Sequence, residues 1–409
     1  MSRFLFVVPP LAGHTNPTIP LGQELTRRGH DVAWTGYPEV LGDLLPPGAT
    51  FIPAAEAVTP EVLAATEERA AKGTGGIGGF KTLWADCILP VARQMAPGVV
   101  AAVDGFAPDA LVVDQHALAG AAAAELRGLP WATSATTSAD LVDPLDGLPK
   151  VAAWLHEQMR DVLVETGVDA ARADALDPRF SPHLVLAFTI ADLVGPIDSL
   201  PDHYVFVGPS IGDRLDDTPF PWDWLKGDPD TYDGDDGPER RILVSLGTLS
   251  WRAGERFFAV AAEALATLDV RAVFVAPPEL VPNPPPNVLV LPHVPQLDLL
   301  PHLDAVVCHG GHNTVCESLA QGLPLVVAAV RDDQPIIADQ VVRVGAAARV
   351  KFTRVTVPML HEAIESVLDL PAYREAARRV QASFATAGGP PLAADRLEQL
   401  VAGTQVGAT

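Results

Sequence analysis

The stretch CHGGHNTVCESLAQGLPLVVAAVRDDQPIIADQ, from Cys308 to Gln340, restricts what this chain can fold into more than any other. Ala305-Val306-Val307-Cys308, which leads into it, is short and wholly apolar, as suits a strand buried on both faces of a parallel sheet. Gly310-Gly311 then lets the backbone turn sharply and approach a ligand closely. His312 to Gln321 has a helical pattern, and Gly322-Leu323-Pro324 stops it. A strand, a glycine turn and a helix in that order leave the N–H groups of His312, Asn313 and Thr314 at the positive end of a helix dipole. That geometry binds phosphate. The following strand, Leu325 to Val330, carries Arg331-Asp332-Asp333-Gln334 to the same sheet edge, where a carboxylate and an amide suit a hydroxyl-rich group. A phosphate cradle beside a sugar-sized polar cluster points to a nucleotide sugar.

At 409 residues the chain is long for one domain, so two domains of about 200 residues are expected. Residues 213–239 hold ten acidic and two basic side chains among Pro and Gly, which is linker composition. The expected division is a first domain at 1–212, the linker at 213–239 and a second domain at 240–386. A last helix at 387–409 then follows the break Gly388-Gly389-Pro390-Pro391. A hydrophobic content of 48% with 19% charged residues suits well-covered α/β cores. The net charge of −23 argues against binding nucleic acid or an anionic membrane, so an anionic donor must be held by local N–H groups and a few side chains. Cys87, Cys308 and Cys316 make no disulfide framework. Residues 1–9 read as a first strand rather than a signal peptide, and no uninterrupted apolar run is long enough to cross a bilayer. A cytoplasmic protein without membrane insertion is expected.

Phe4 to Val8 is a buried-strand pattern, Leu11 to Pro17 a loop, and Thr18 to Arg28 an amphipathic helix closed by Gly29. His14 therefore lies just past the C-terminal end of a strand, the edge where ligands bind in open α/β sheets. A histidine there either hydrogen-bonds within its own loop or meets a ligand. Ala110-Leu111-Val112-Val113-Asp114 is another strand ending at that edge, and Asp114 is either the N-cap of the next helix or a site group. Pro60 to Lys72 reads as a helix, Gly73 to Gly79 as a flexible glycine loop, and Phe80 to Val103 as a helical region broken at Pro90 and Pro97. Pro130 to Ala135 is a strand opening into a Thr/Ser-rich loop.

In the second half, Arg241 to Leu246 is a strand whose exit holds Gly247-Thr248, an N–H and a hydroxyl placed for phosphate. His293-Val294-Pro295-Gln296 caps a short helix. Cys308-His309-x2-His312-x3-Cys316 invites a metal reading. Zinc pairs, however, show C-x2–4-C or H-x3–5-H spacing, and no second cluster follows. From Thr356 onward the pattern is helical.

His309-Gly310-Gly311-x-Asn313-Thr314, with Glu317 and Asp333-Gln334, resembles the nucleotide-sugar signature of family 1 glycosyltransferases. Val294-Pro295-Gln296, Ser245-Leu246-Gly247-Thr248 and Gly13-His14-x-Asn16-Pro17 are similar to that family in the same order, over nearly the whole chain. The resemblance implies the GT-B fold: two Rossmann-like α/β domains with parallel sheets facing a central cleft, and C-terminal helices crossing back to the first domain. It implies that His14 is the catalytic base and Asp114 the carboxylate that holds it. It also implies a donor site of Gly247, Thr248, His293, Val294, Gln296, His309, Gly311, His312, Asn313, Thr314, Glu317, Asp333 and Gln334. Within that set, His309, Thr314 and Gly247-Thr248 would meet the diphosphate, Glu317 the ribose, and Asp333-Gln334 the sugar. Plant relatives stack a tryptophan on the base where this chain has His293, a smaller face. The helix N-terminus and His309 would neutralise the leaving diphosphate, so neither cofactor nor metal is expected. Asp228-Pro229-Asp230 and Asp233-Gly234-Asp235 formally fit the metal-binding triplet of other glycosyltransferases, but they lie in the solvated acidic tract.

The function implied is inverting transfer of a sugar from a UDP- or dTDP-sugar to a hydroxyl of a small lipophilic acceptor such as a polyketide, macrolide or phenolic. The short length and Pro- and Ala-rich composition resemble bacterial antibiotic transferases. A homodimer stays open. A nucleotide-sugar epimerase on the same fold, or a non-catalytic partner of another transferase, are the competing readings. His14 and Asp114, set away from the phosphate motif, favour transfer over epimerisation, and the intact donor motif disfavours a non-catalytic partner.

Overall fold

A computed structural model of the chain describes all residues except 73–74, 143, 198, 213–215, 227–239 and 407–409. Two compact units emerge: one of Met1–Arg69, Ile77–Asp213 and Phe384–Thr409, the other of Ala70–Gly76 and Arg214–Ser383.

The first unit is built on β1 (Arg3–Val7), β2 (Asp31–Gly36), β3 (Thr50–Pro53), β4 (Ala110–Asp114), β5 (Trp131–Ala135), β6 (Leu184–Ala187) and β7 (Tyr204–Phe206). They form one sheet in the order β3-β2-β1-β4-β5-β6-β7, and every adjacent pair is parallel. β4 and β5 are buried along their whole length because helices cover both faces, which is why their sequences are nearly continuous apolar or small runs. Alternation still sorts the side chains. Leu5, Val7, Leu111 and Val113 join one core with Met95, Val99 and Leu163. Phe4, Phe6 and Val112 join the other with Leu21, Leu25 and Trp34. The last helix, Gly389–Val406, lays Ala393, Ala394, Leu397 and Val401 into this second core. Arg28 and His30 bond its Asp395 and Glu398 at the rim.

Two sequence expectations are corrected here. Gly76–Thr82 is helical rather than a flexible loop, while Gly73 and Thr74 lie outside the described residues. Phe80 and Leu83 pack on the core of Trp84, Leu89 and Leu155, and that burial holds the turn despite its glycines. Nor do the prolines break the following helix. Leu83–Ile88 is a π-helical turn just ahead of Pro90, so the bond that Pro90 cannot donate falls where the ladder is already shifted. Pro97 stays inside Leu89–Phe106, whose Met95, Ala96 and Val99 are buried on the sheet. The helical run Gly76–Phe106 has the length to cross a membrane and an 18-residue window of mean hydropathy 1.2, but Lys81, Asp86, Arg93 and Asp104 interrupt it, so it is not an uninterrupted apolar run. Of that window 56% is buried inside the protein, as in a core helix.

The second unit carries β8 (Arg241–Ser245), β9 (Arg271–Val275), β10 (Val288–Leu291), β11 (Ala305–Cys308), β12 (Leu325–Val327) and β13 (Ala347–Arg349). Their order is β10-β9-β8-β11-β12-β13, again all parallel. Ile242, Val244, Phe258, Phe274, Val307, Leu360 and Ile364 form its core. Both Asp-x-Asp triplets of the acidic tract fall outside the described residues.

Each sheet reverses its winding once, between β1 and β4 and between β8 and β11. In doubly wound sheets this switch opens a crevice beyond the strand C-termini, and ligands bind there. His14 follows β1 and Asp114 ends β4; Gly247 follows β8 and His309 follows β11.

Candidate active site

His14 sits in a one-turn helix, Ala12–Thr15, and its Nδ1 lies 2.9 Å from both carboxylate oxygens of Asp114. Asp114 is fully buried. It is not an N-cap, since Ala117 holds that place before the helix Leu118–Arg127. Instead Oδ1 accepts the His116 backbone N–H at 2.8 Å, and Oδ2 accepts the Thr136 hydroxyl at 2.8 Å. Thr136 Oγ1 is also 2.8 Å from His14 Nδ1. A carboxylate at Nδ1 fixes the tautomer and stabilises the imidazolium, so such a histidine can accept a proton at Nε2.

Thr136 is a site residue that sequence reasoning left unassigned. It is the first residue past β5, and β5 runs parallel to β4 with Ser134 opposite Asp114, so the two strand exits lie side by side. The Thr/Ser-rich loop was visible in the sequence; its neighbour was not. Ligand atoms of His14, Asp114 and His116 come within 4.8 Å of one another, close enough to consider a metal. Asp114 already meets three hydrogen-bonding partners, however, which fits proton sharing better than metal ligation.

In the second unit the His309 ring packs against two glycines. A Cβ on Gly247 would sit 2.6 Å from its Cε1, and a Cβ on Gly311 would sit 2.6 Å from its Nε2. Gly247 has φ +70°, a left-handed turn that itself favours glycine. Gly311 has an ordinary φ of −65°, so what it supplies is space. Burial, helped by the charge of Arg331, pushes the His309 imidazole down to about 4. With no diphosphate bound, His309 is therefore an uncharged hydrogen-bonding group at neutral pH. The positive charge nearby is Arg331, 2% exposed, whose Nη1 donates to the Ala70 carbonyl at 2.9 Å. Its sequence signal was a lone basic residue ahead of Asp332-Asp333-Gln334 at a strand exit.

Gly311 is the N-cap of the helix His312–Ala320 and makes no side-chain cap bond, so His312, Asn313 and Thr314 form a first turn that no cap side chain covers. Further along, the buried Glu317 accepts from Gln296 Nε2 at 2.6 Å, joining two donor candidates 21 residues apart. Val294 is buried, and Thr248 is exposed in the turn Gly247–Ser250. His293 is exposed and paired with Asp216 at 3.1 Å. Asp333 is the N-cap residue of the helix Gln334–Arg343. Gln334 Oε1 accepts from the N–H groups of Val330 and Arg331 at 2.9 and 3.1 Å, so its amide also clamps the loop that carries Asp333. Among the described residues, Cys308, His309, His312 and Cys316 do not converge as a metal cluster. Burial pushes the Cys308 thiol up to about 12 and the Cys316 thiol upward too, as apolar surroundings do to an unliganded thiol.

Residues 256–400 match the family model described as erythromycin biosynthesis protein CIII-like, C-terminal domain. The chain is 31% identical to 4'-demethylrebeccamycin synthase of Lentzea aerocolonigenes, over 98% of this chain and 100% of that protein. It is 26% identical to the uncharacterized UDP-glucosyltransferase YojK of Bacillus subtilis (strain 168), over 98% of each. Among solved structures, the glycotransferase of kitacinnamycin is similar with a TM-score of 0.76 at 27% identity, covering 98% of this chain and 99% of that one.

Proposed function

This chain belongs to the family 1 glycosyltransferases of the GT-B fold, alongside bacterial antibiotic transferases, and we propose that it transfers the sugar of a uridine or thymidine diphosphate donor, with inversion, to a hydroxyl of a small lipophilic natural product. The observation that carries this reading is the His14–Asp114 pair, at 2.9 Å, at the switch point of the first sheet. An alcohol or phenol is a poor nucleophile at neutral pH. His14 Nε2 takes its proton as the oxygen attacks the anomeric carbon, and Asp114 stabilises the imidazolium. The bond from that carbon to the diphosphate oxygen breaks, and its electron pair leaves with the diphosphate. Attack from the side opposite the leaving group turns an α-linked donor into a β-glycoside.

On the donor side, the first-turn N–H groups of the helix His312–Ala320 and the His309 ring receive the diphosphate as hydrogen-bond donors. Glu317, already oriented by Gln296, takes the ribose hydroxyls, and Asp333 with Gln334 the sugar. With the charge handled this way, no metal is required, and the reaction runs in the cytoplasm on a polyketide, macrolide or phenolic acceptor. The test is turnover of radiolabelled UDP- and dTDP-sugars with and without a panel of such acceptors, with the anomeric configuration of the product read by NMR coupling. Acceptor-dependent β-glycoside formation supports the reading. Conversion of the donor without acceptor would make the protein an epimerase, and no conversion with any pair would favour a non-catalytic partner.

A further inference from the structure

Beside the His14–Asp114 pair lies a second imidazole–carboxylate pair that the chemistry above does not use. The His116 ring centroid is 4.9 Å from that of His14, tilted by 36°. Its Nε2 is 3.3 Å from Asp140 Oδ2, and Gln115 Nε2 donates to the same oxygen at 2.6 Å. Gln115 Oε1 accepts the Thr137 N–H at 3.2 Å, which ties the loop after β4 to the loop carrying Thr136. Trp84 stands edge-on to His116 at 5.8 Å. The His116 and Asp140 side chains are each only 14% exposed. A pair of titratable groups this deep costs desolvation that an apolar pair would not. Its place against the base suggests why it is there.

We propose that His116, fixed by Asp140, is a positioning residue for His14: it packs the base's ring into its working orientation, and the Asp140 anion favours the imidazolium that His14 becomes. Burial pushes the Asp140 carboxyl up, but His116, Arg179 and Gln115 outweigh it and bring it to about 2, so it is an anion throughout the working range. Among the described residues, the charged and titratable groups facing the cluster are Asp114 against His14, His116 against Asp140, and Arg179, itself held by Asp177, acting on Asp140. Thr136 adds a hydroxyl to the first pair. The acceptor proton goes to His14 Nε2 and stays there through bond formation; no proton passes to His116.

The inference rests on His14 being the base. Asp140→Asn, Asp140→Glu, His116→Gln and His14→Ala are compared on one alcohol acceptor for kcat, KM, the pH profile of kcat/KM and melting temperature. Asp140→Asn should lower kcat about tenfold with KM little changed, and move the acid limb of kcat/KM to lower pH, because the His14 imidazolium loses a nearby anion. Asp140→Glu should restore the wild-type limb. If Asp140→Asn does not fold, His116→Gln, which keeps an amide for Asp140 but removes the ring, should still lower kcat by about the same factor. Wild-type kcat and an unmoved acid limb in Asp140→Asn, or a kcat loss that follows the melting temperature with the limb unmoved, would overturn the role of the pair. Wild-type turnover in His14→Ala would instead overturn the base itself.

Discussion

Gly311→Ala isolates the space around His309 from every other property of the turn. The backbone there has φ −65° and ψ 135°, which alanine adopts without strain, so the substitution would ordinarily stabilise by about 0.4–1 kcal/mol through the unfolded state. The new methyl, however, would stand 2.6 Å from Nε2 and 2.7 Å from Cε1 of His309. Carbon atoms pack at about 3.5–4.0 Å, so the ring must retreat by roughly 1 Å. Gly247 crowds the same edge, where a Cβ would stand 2.6 Å from Cε1 and 2.8 Å from Nε2. Such overpacking costs about 1–3 kcal/mol, which leaves a net destabilisation of about 1–2 kcal/mol. Urea denaturation should show that loss, and calorimetric titration with UDP or dTDP should show weakened affinity as the helix N-terminus shifts. Adding His309→Ala should recover stability, giving a strongly non-additive double-mutant cycle. A Gly311→Ala protein with wild-type stability and affinity, or a cycle that is additive, would refute the cradle.

Glu317→Ala should weaken nucleoside-diphosphate binding by about 1–3 kcal/mol, as charged hydrogen bonds do; unchanged calorimetric affinity would remove Glu317 from the site. Activity should survive EDTA, whereas a strict Mg²⁺ or Mn²⁺ requirement would place a cation at His14, Asp114 and His116 or in the acidic tract. His309 also leaves a pH signature. Its imidazole sits at about 4 in the fold against 6.5 when unfolded, so the unfolded chain binds more protons between those values. Stability should therefore fall as pH drops from 6.5 to 4, by up to about 3 kcal/mol, and His309→Asn should flatten that slope in pH-dependent denaturation.

Much of the fold and site could be read locally. The strands β1, β4, β8 and β11 are short apolar runs closed by Gly, Pro or Asp, and each puts its motif at its own exit. β6 and β7, of four and three residues, are too short to carry a period. The helical turn at Gly76–Thr82 runs against its glycine content, because packing on Trp84 decides it. Thr136, His116 and Asp140 escaped notice for another reason. Their meaning depends on which strand exits lie side by side, and parallel pairing joins segments far apart in sequence. The charge state of His309 was likewise hidden, since the glycine spacing shows a close approach but not the burial and the Arg331 that keep the ring neutral.

In the proposed mechanism His14 removes the acceptor's proton and takes no part in holding the donor. The most direct test is His14→Ala, with initial rates on an alcohol acceptor and nucleoside-diphosphate affinity measured on the same preparation. Turnover should fall by about 10²–10⁴ with affinity unchanged. Turnover at the wild-type rate would contradict this mechanism.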